Sequence, residues 1–255
     1  MLKVYGVPTR CWAHRGASGY APENTAAAFR LAAEMGADGI ELDVRVTRDR
    51  ALVVCHDVTL ERFGGVARPV AALTLAEVKQ LDVGAGVDRR FVGERILTLE
   101  EALDIASTRL LVNIEVKVDQ PRERVEERIV RLLRSRSLLD RTVLSSFLPG
   151  PLERTKRVEP ELATALLYSR QELLPEIEAL AWAVLSVPEL RVDALHLHHR
   201  FATPPHVAWA HAEGFGVAVW TVNDEEHMQR LVALGVEGIF TDYPDRLVRV
   251  LQVFR

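Results

Sequence analysis

Short apolar runs alternate with amphipathic stretches along almost the whole chain. Runs of strand character fall at Cys11 to His14, Gly39 to Val46, Leu52 to His56, Leu110 to Val118, Thr142 to Phe147, Ala163 to Tyr168, Ala194 to His198, Gly216 to Val222 and Gly238 to Thr241. Most are followed by a helical pattern, and strands that alternate with helices predict a parallel sheet covered by helices. Setting aside the short run before His56 leaves eight strands, enough to close an α/β (β/α)8 TIM barrel. Pro22-Glu23-Asn24-Thr25 opens a helix from about Asn24, where Asn24 or Thr25 can cap free backbone N–H groups and Glu23 suits the positive helix end. The last two helices follow Asn223-Asp224 and Tyr243-Pro244-Asp245, polar or proline starts of the expected kind. The stretch from Val58 to Thr108 breaks the rhythm and is read as a small insertion between the second and third barrel strands, an excursion over the barrel mouth. It holds two short helical patterns, Thr74 to Leu81 and Thr98 to Ala106, separated by Gly84, Gly86 and Gly93. Either it shapes ligand access or it is a packing decoration.

Composition narrows the class. At 255 residues and 48% hydrophobic content, residues 1–255 match one (β/α)8 domain better than two. A net charge of −4, from 32 basic and 36 acidic residues interspersed, gives no basic field to draw the protein onto nucleic acid or anionic lipid. The two cysteines, Cys11 and Cys55, form neither a disulfide framework nor a zinc pattern and are read as packing residues. No run approaches the roughly 18 apolar residues of a membrane span, and the N-terminal stretch lacks the layout of a secretory leader. The expectation is a cytoplasmic protein with no stable membrane insertion; oligomeric state is not legible.

The candidate chemistry clusters at strand ends. Side chains two apart share a strand face, so Glu41 points with Asp43 and Glu115 with Lys117. Three carboxylates from two strands suit a hard divalent cation such as Mg2+ or Ca2+ that keeps positions open for water and substrate. The competing reading is a structural ion-pair network in which Arg45 and Lys117 neutralise the acids. His14 and His56 each follow an apolar run, and two imidazoles suit a general acid and a general base. Arg15 can give parallel hydrogen bonds to phosphate oxygens, and Lys117 supplies a compact charge for a catalytic role, to stabilise a phosphorane or ionise a neighbouring group; the alternative for both is a salt-bridge partner. Trp220 and Asn223 end another strand, placed to offer the mouth an aromatic wall and a polar contact, with core packing the alternative for Trp220. The remaining histidines, His196, His198, His199, His206, His211 and His227, are left out of the site because nothing nearby completes a zinc set.

Taken in order, His14-Arg15-Gly16, Pro22-Glu23-Asn24-Thr25, Glu41-Leu42-Asp43-Val44, His56-Asp57, Glu115-Val116-Lys117, Trp220-Thr221-Val222-Asn223 and Phe240-Thr241-Asp242-Tyr243-Pro244 resemble the glycerophosphodiester phosphodiesterase family of phospholipase C-like barrels. The resemblance implies metal-dependent hydrolysis of small glycerophosphodiesters to glycerol 3-phosphate and an alcohol. By motif it makes Glu41, Asp43 and Glu115 metal ligands, His14 and His56 the acid and base, and Arg15 and Lys117 phosphate contacts. Two departures, Thr59-Leu-Glu-Arg-Phe-Gly-Gly in place of a threonine-rich tract and Leu97 in place of a common proline, bear on which alcohol is accepted. A phosphodiesterase of lysophospholipase D type and a non-catalytic phosphate-ester-binding barrel are the alternatives. The attacking group, water or the neighbouring glycerol hydroxyl, stays open, as does which histidine is the acid.

Overall fold

The computed structural model describes residues 8–64, 66–106, 109–117, 124–169 and 191–254. Eight parallel strands close on themselves: β1 (Arg10–Ala13), β2 (Gly39–Val46), β6 (Leu111–Val116), β7 (Thr142–Ser146), β8 (Ala163–Tyr168), β9 (Ala194–His198), β10 (Gly216–Trp220) and β11 (Gly238–Thr241), in that order around the barrel. Closure is made by β1, whose Trp12 pairs in register with Gly39 of β2 on one side and with Phe240 of β11 on the other. Helices α1 (Ala26–Glu34), α4 (Val125–Ser135), α5 (Pro149–Val158), α6 (Pro204–Ala212), α7 (Glu225–Leu234) and α8 (Pro244–Phe254) follow their strands. The fold is the expected (β/α)8 TIM barrel. Most strand bounds fall within two residues of the sequence reading, and the expected Val118 end of the third barrel strand lies outside the described residues.

The run before His56 is excluded from the barrel for a structural reason. It forms β3 (Leu52–Val54), antiparallel to the far end of β2 through Val44, Arg45 and Val46. The barrel part of β2 ends near Val44, where its pairing with β6 stops, and the strand runs on as a hairpin. Glu41 and Asp43 lie within the strand, as the expected Gly39–Val46 bounds place them, and they sit at the rim because its barrel pairing ends beside them.

Between β3 and β6 come a two-stranded ribbon, β4 (Thr59–Leu60) with β5 (Val66–Pro69), and helices α2 (Leu75–Lys79) and α3 (Leu99–Ala106). Thr74 caps α2 in a reciprocal box with Glu77. A separate apolar cluster that includes Leu60, Val70, Val78, Val83 and Ile96 holds this stretch together beneath Val53 and Cys55.

The lumen is filled unevenly. Strand positions that face inward alternate along each strand, and in the lower layer they carry Trp12, Phe240, Val143 and the small Ala163, Ala165, Ala194 and Ala218. The Trp12 and Phe240 rings stack at 5.7 Å and 24°, and Gly39 and Gly238 leave the space: a methyl on Gly39 would meet Trp12 Cζ3 at 2.6 Å. Two positions further along the same inward faces stand His14 after Trp12, Glu41 after Gly39 and Asp242 after Phe240, with Asp43 two beyond Glu41. An apolar plug thus closes the lower lumen and leaves the upper layer to polar groups.

Candidate active site

A cavity of about 190 Å3 opens above the plug, lined by His14, Arg15, Glu41, His56, Asn113, Glu115 and Lys117 on one side and by Phe147, Leu167, His196, Trp220 and Phe240 on the other. A larger groove of about 310 Å3 lies elsewhere, between Ala51 and Leu52 of the hairpin and Arg128 and Arg131 of α4, and contains none of these groups.

Glu41, Asp43 and Glu115 are all buried, and one carboxylate oxygen from each lies within 4.8 Å of the others. The register sets this up, because Asp43 of β2 pairs directly with Glu115 of β6. Lys117 Nζ reaches Asp43 Oδ1 at 3.0 Å and Glu115 Oε1 at 2.5 Å, and Arg15 Nε stands 3.3 Å from Asp43 Oδ2. Glu41 receives the Arg15 backbone N–H at 2.9 Å. That contact depends on the left-handed backbone of Arg15, φ 56°, followed by Gly16 at φ 81°, where any Cβ would strike Ala28 at 2.7 Å. Arg45, offered by the ion-pair reading as a neutralising partner, points away and holds the His56 carbonyl, its Nε at 2.9 Å.

Two cations therefore face three carboxylates, and the charges respond. Asp43 is held below its ordinary range because Lys117 and Arg15 outweigh its burial. Glu41 is pushed up to about 8 by burial and by the Asp43 and Glu115 charges, and burial raises Glu115 as well. Buried carboxylates in excess of their cations are costly, and a set of three oxygens this close fits a hard divalent cation. The geometry supports a metal centre on chemical grounds and does not select the ion.

The two histidines are backed by carboxylates. His14 Nδ1 lies 2.7 Å from Asp242 Oδ1, and His56 Nδ1 lies 2.9 Å from Asp57 Oδ1. An ionised carboxylate only accepts, so Nδ1 of each ring carries a hydrogen and Nε2 is left for other partners. Burial opposes protonation of His14, but Asp242 and Glu41 overcome it and raise its pKa. For His56 burial prevails over Asp43 and Asp57, and the pKa falls.

Asp242 was missed as a functional group in the sequence reading, and barrel closure reveals it: Ala13 pairs with Thr241, so the next residues, His14 and Asp242, emerge side by side. Asn223 belongs to the same cluster. Its Nδ2 donates to Asp242 Oδ2 at 2.7 Å, and its Oδ1 accepts from the Asp242 N–H at 2.9 Å, so the amide orients Asp242 instead of facing the cavity. Ser18 Oγ donates to Asp242 Oδ1 at 2.9 Å. Trp220 does line the cavity. Its Nε1 donates to the His196 carbonyl at 2.9 Å and its ring meets Phe147 edge-on at 5.6 Å. Asn24 turns from capping to the site and donates to Asp43 Oδ2 at 2.9 Å, while Thr25 caps α1. Glu23, read as a helix-end charge, pairs with Arg15 Nη1 at 3.1 Å. Both cysteines are buried thiols, and among the described residues no helix is long and apolar enough to cross a membrane.

Comparison with known proteins agrees with this architecture. The profile of the Glycerophosphoryl diester phosphodiesterase family matches residues 14–246. A glycerophosphodiester phosphodiesterase of Caldanaerobacter subterraneus subsp. tengcongensis is 38% identical over 246 residues, covering 94% of this chain and 96% of its own. A glycerophosphodiester phosphodiesterase of Bacillus subtilis is 31% identical over 254 residues, covering 93% and 85%. Among solved structures, an Oleispira antarctica phosphodiesterase in complex with the product sn-glycerol-3-phosphate superposes with a TM-score of 0.83 at 31% identity, covering 96% of this chain and 97% of that one. On the length of the match and on the identity of these relatives, the chain belongs to the glycerophosphoryl diester phosphodiesterase family.

Proposed function

We propose that this chain hydrolyses small glycerophosphodiesters to sn-glycerol 3-phosphate and an alcohol. The observation that carries the reading is the convergence, around one cavity of about 190 Å3, of three buried carboxylates with two histidines, an arginine and a lysine. In this reading Glu41, Asp43 and Glu115 hold a divalent cation, Mg2+ or Ca2+. Bound there, it neutralises the carboxylates and draws charge from a phosphoryl oxygen. Arg15 and Lys117 lie on the same wall, within reach of the remaining phosphate oxygens. Nδ1 of His14 and His56 is held by Asp242 and Asp57, so Nε2 of one ring takes the proton of the attacking oxygen while Nε2 of the other returns one to the departing alcohol. The apolar wall of Phe147, Leu167 and Trp220 faces the carbon atoms of the substrate. In this reading the excursion between β3 and β6, whose Arg62 pairs with Asp57 beside His56, selects among alcohols.

The test is release of glycerol 3-phosphate from glycerophosphocholine, glycerophosphoethanolamine and lysophosphatidylcholine, with EDTA, Mg2+ or Ca2+, beside Glu41→Ala, His14→Ala and His56→Ala. Release that requires an added cation and is lost in Glu41→Ala supports the reading. Near-normal turnover in both histidine variants would sink the two-histidine scheme, and a cyclic phosphate product would identify the glycerol hydroxyl as the attacker.

A further inference from the structure

We propose that Arg62 is a positioning residue for the reaction: by holding Asp57 and Glu23 at once, it fixes the orientations of His56 and Arg15 from outside the barrel. Arg62 lies in the single turn Glu61–Phe63 that follows β4. Its Nε donates to Asp57 Oδ2 and its Nη2 to Glu23 Oε1. Each carboxylate is engaged on its other side by a group of the site: Asp57 Oδ1 holds His56 Nδ1 at 2.9 Å, and Glu23 Oε2 holds Arg15 Nη1 at 3.1 Å. Arg15 in turn reaches Asp43. One guanidinium thus closes a continuous path from the His56 imidazole to the carboxylate cluster.

An exposed arginine paired with carboxylates ordinarily contributes little to stability, and the Arg62 side chain is 43% exposed. Nor does it belong to the apolar cluster that holds its own segment together. Its contribution is therefore to geometry. The two carboxylates it joins share one cation; without it they repel each other, and Asp57 loses the bond that sets its rotation. The His56 ring then loses its fixed acceptor, and misplacement of a proton-transfer group lowers turnover more than binding. Lysine substitutes only in part, because a single ammonium cannot present the two separately directed N–H groups that a planar guanidinium offers. The Phe63 ring, 4.3 Å below the guanidinium, forms a shelf that an added guanidinium ion can occupy once the side chain is gone.

The proposal rests on the phosphodiesterase reading, so its experiment has one arm that depends on turnover and one that does not. Arg62→Ala and Arg62→Lys are assayed on glycerophosphocholine with Mg2+, with and without millimolar guanidinium, and with tetramethylammonium as the salt control. The expected result is a fall in kcat of about 10- to 100-fold with KM changed less than about threefold, partial recovery in the lysine variant, and recovery of about tenfold in Arg62→Ala with guanidinium only. In parallel, 15N spectra of the imidazoles, assigned with His56→Gln, are expected to show the Nδ1-protonated tautomer of His56 in the unaltered protein and a mixture in Arg62→Ala. A kcat within about twofold of the unaltered protein, or a loss that guanidinium does not restore, overturns the proposal. So does an unchanged His56 tautomer. If the unaltered protein cleaves no diester, the functional reading fails by itself, and the imidazole spectra alone decide whether Arg62 orients His56.

Discussion

Asp242→Asn probes the site where it is most tightly built. Burial alone would raise the Asp242 carboxyl, yet His14, Asn223 and Ser18 hold it at about 2 rather than 3.8, a preference of about 2 kcal/mol for the ionised form. Three donors share it, and the side chain is 28% exposed, which leaves about 1 kcal/mol for His14. The signs follow from the directions. Asp242 is depressed in the folded protein, so its contribution is complete above pH 3.8 and is lost as the pH falls through about 2. His14 is raised, so its contribution is complete below 6.5 and is lost as the pH climbs through its elevated value. Asparagine keeps the shape of the acceptor and removes the charge, while the burial that depresses His14 remains. The limb of the pH profile of kcat/KM that belongs to His14 should therefore move toward lower pH by about half to one unit. At its optimum kcat/KM should fall by about 10- to 100-fold. The assay is glycerol 3-phosphate release with saturating Mg2+ across neutral pH. The limb that belongs to His56 should stay in place, since Asp57 and not Asp242 holds that ring. A His14 limb that stays put or moves to higher pH would refute the reasoning, as would movement of both limbs together.

Other perturbations read different parts of the structure. Glu41 is held at about 8 against an ordinary 4.5, so the metal-free protein should lose stability as the pH rises between those values. A divalent cation should then raise Tm more at the upper end of that range than at the lower, and a cation effect that is absent or independent of pH in thermal scans would count against the metal centre. Gly39→Ala places a methyl 2.6 Å from Trp12 Cζ3 and 2.9 Å from the Leu111 carbonyl. It should cost about 1–3 kcal/mol in urea unfolding, and an unchanged midpoint would mean that the plug can shift. The Cys55 thiol is pushed up to about 11 by burial, so a disulfide reagent at mildly alkaline pH should modify it only after unfolding; rapid labelling of the native protein would contradict its placement.

The barrel was legible because its strands are mostly apolar and several of its helices start on capping or proline signals, and both are local properties. The carboxylate pairs were legible for the same reason: Glu41 with Asp43, and Glu115 with Lys117, follow from the two-residue repeat of one strand. Groups that work across strands were hidden. Asp242 sits 228 positions from His14, and only the pairing of β1 with β11 makes them neighbours. Asn223 looked like a contact for substrate because it ends a strand near the mouth, but its amide is committed to Asp242 and Thr241. That Glu41 and Asp43 stand at the rim, although mid-strand, depended on the β2–β3 hairpin that carries β2 beyond the barrel. The reach of Arg62 to Glu23 spans 39 positions and depends on a ribbon that no periodicity announces.

The two imidazoles draw their support from different kinds of structure, and the difference has a mechanical consequence. Asp242 is fixed by the barrel itself. It follows a strand that closes the sheet, and it is held on three sides by His14, Ser18 and Asn223. His56 follows a hairpin strand outside the barrel, and its acceptor Asp57 is tied to Arg62 on the excursion. Side chains locked by packing and several hydrogen bonds hold catalytic geometry better than those on loops, so His14 is the stiffer partner and His56 the one that changes in the 58–108 stretch can tune. In the two-histidine scheme, alterations there should act first on the His56 step and leave the His14 step as it is.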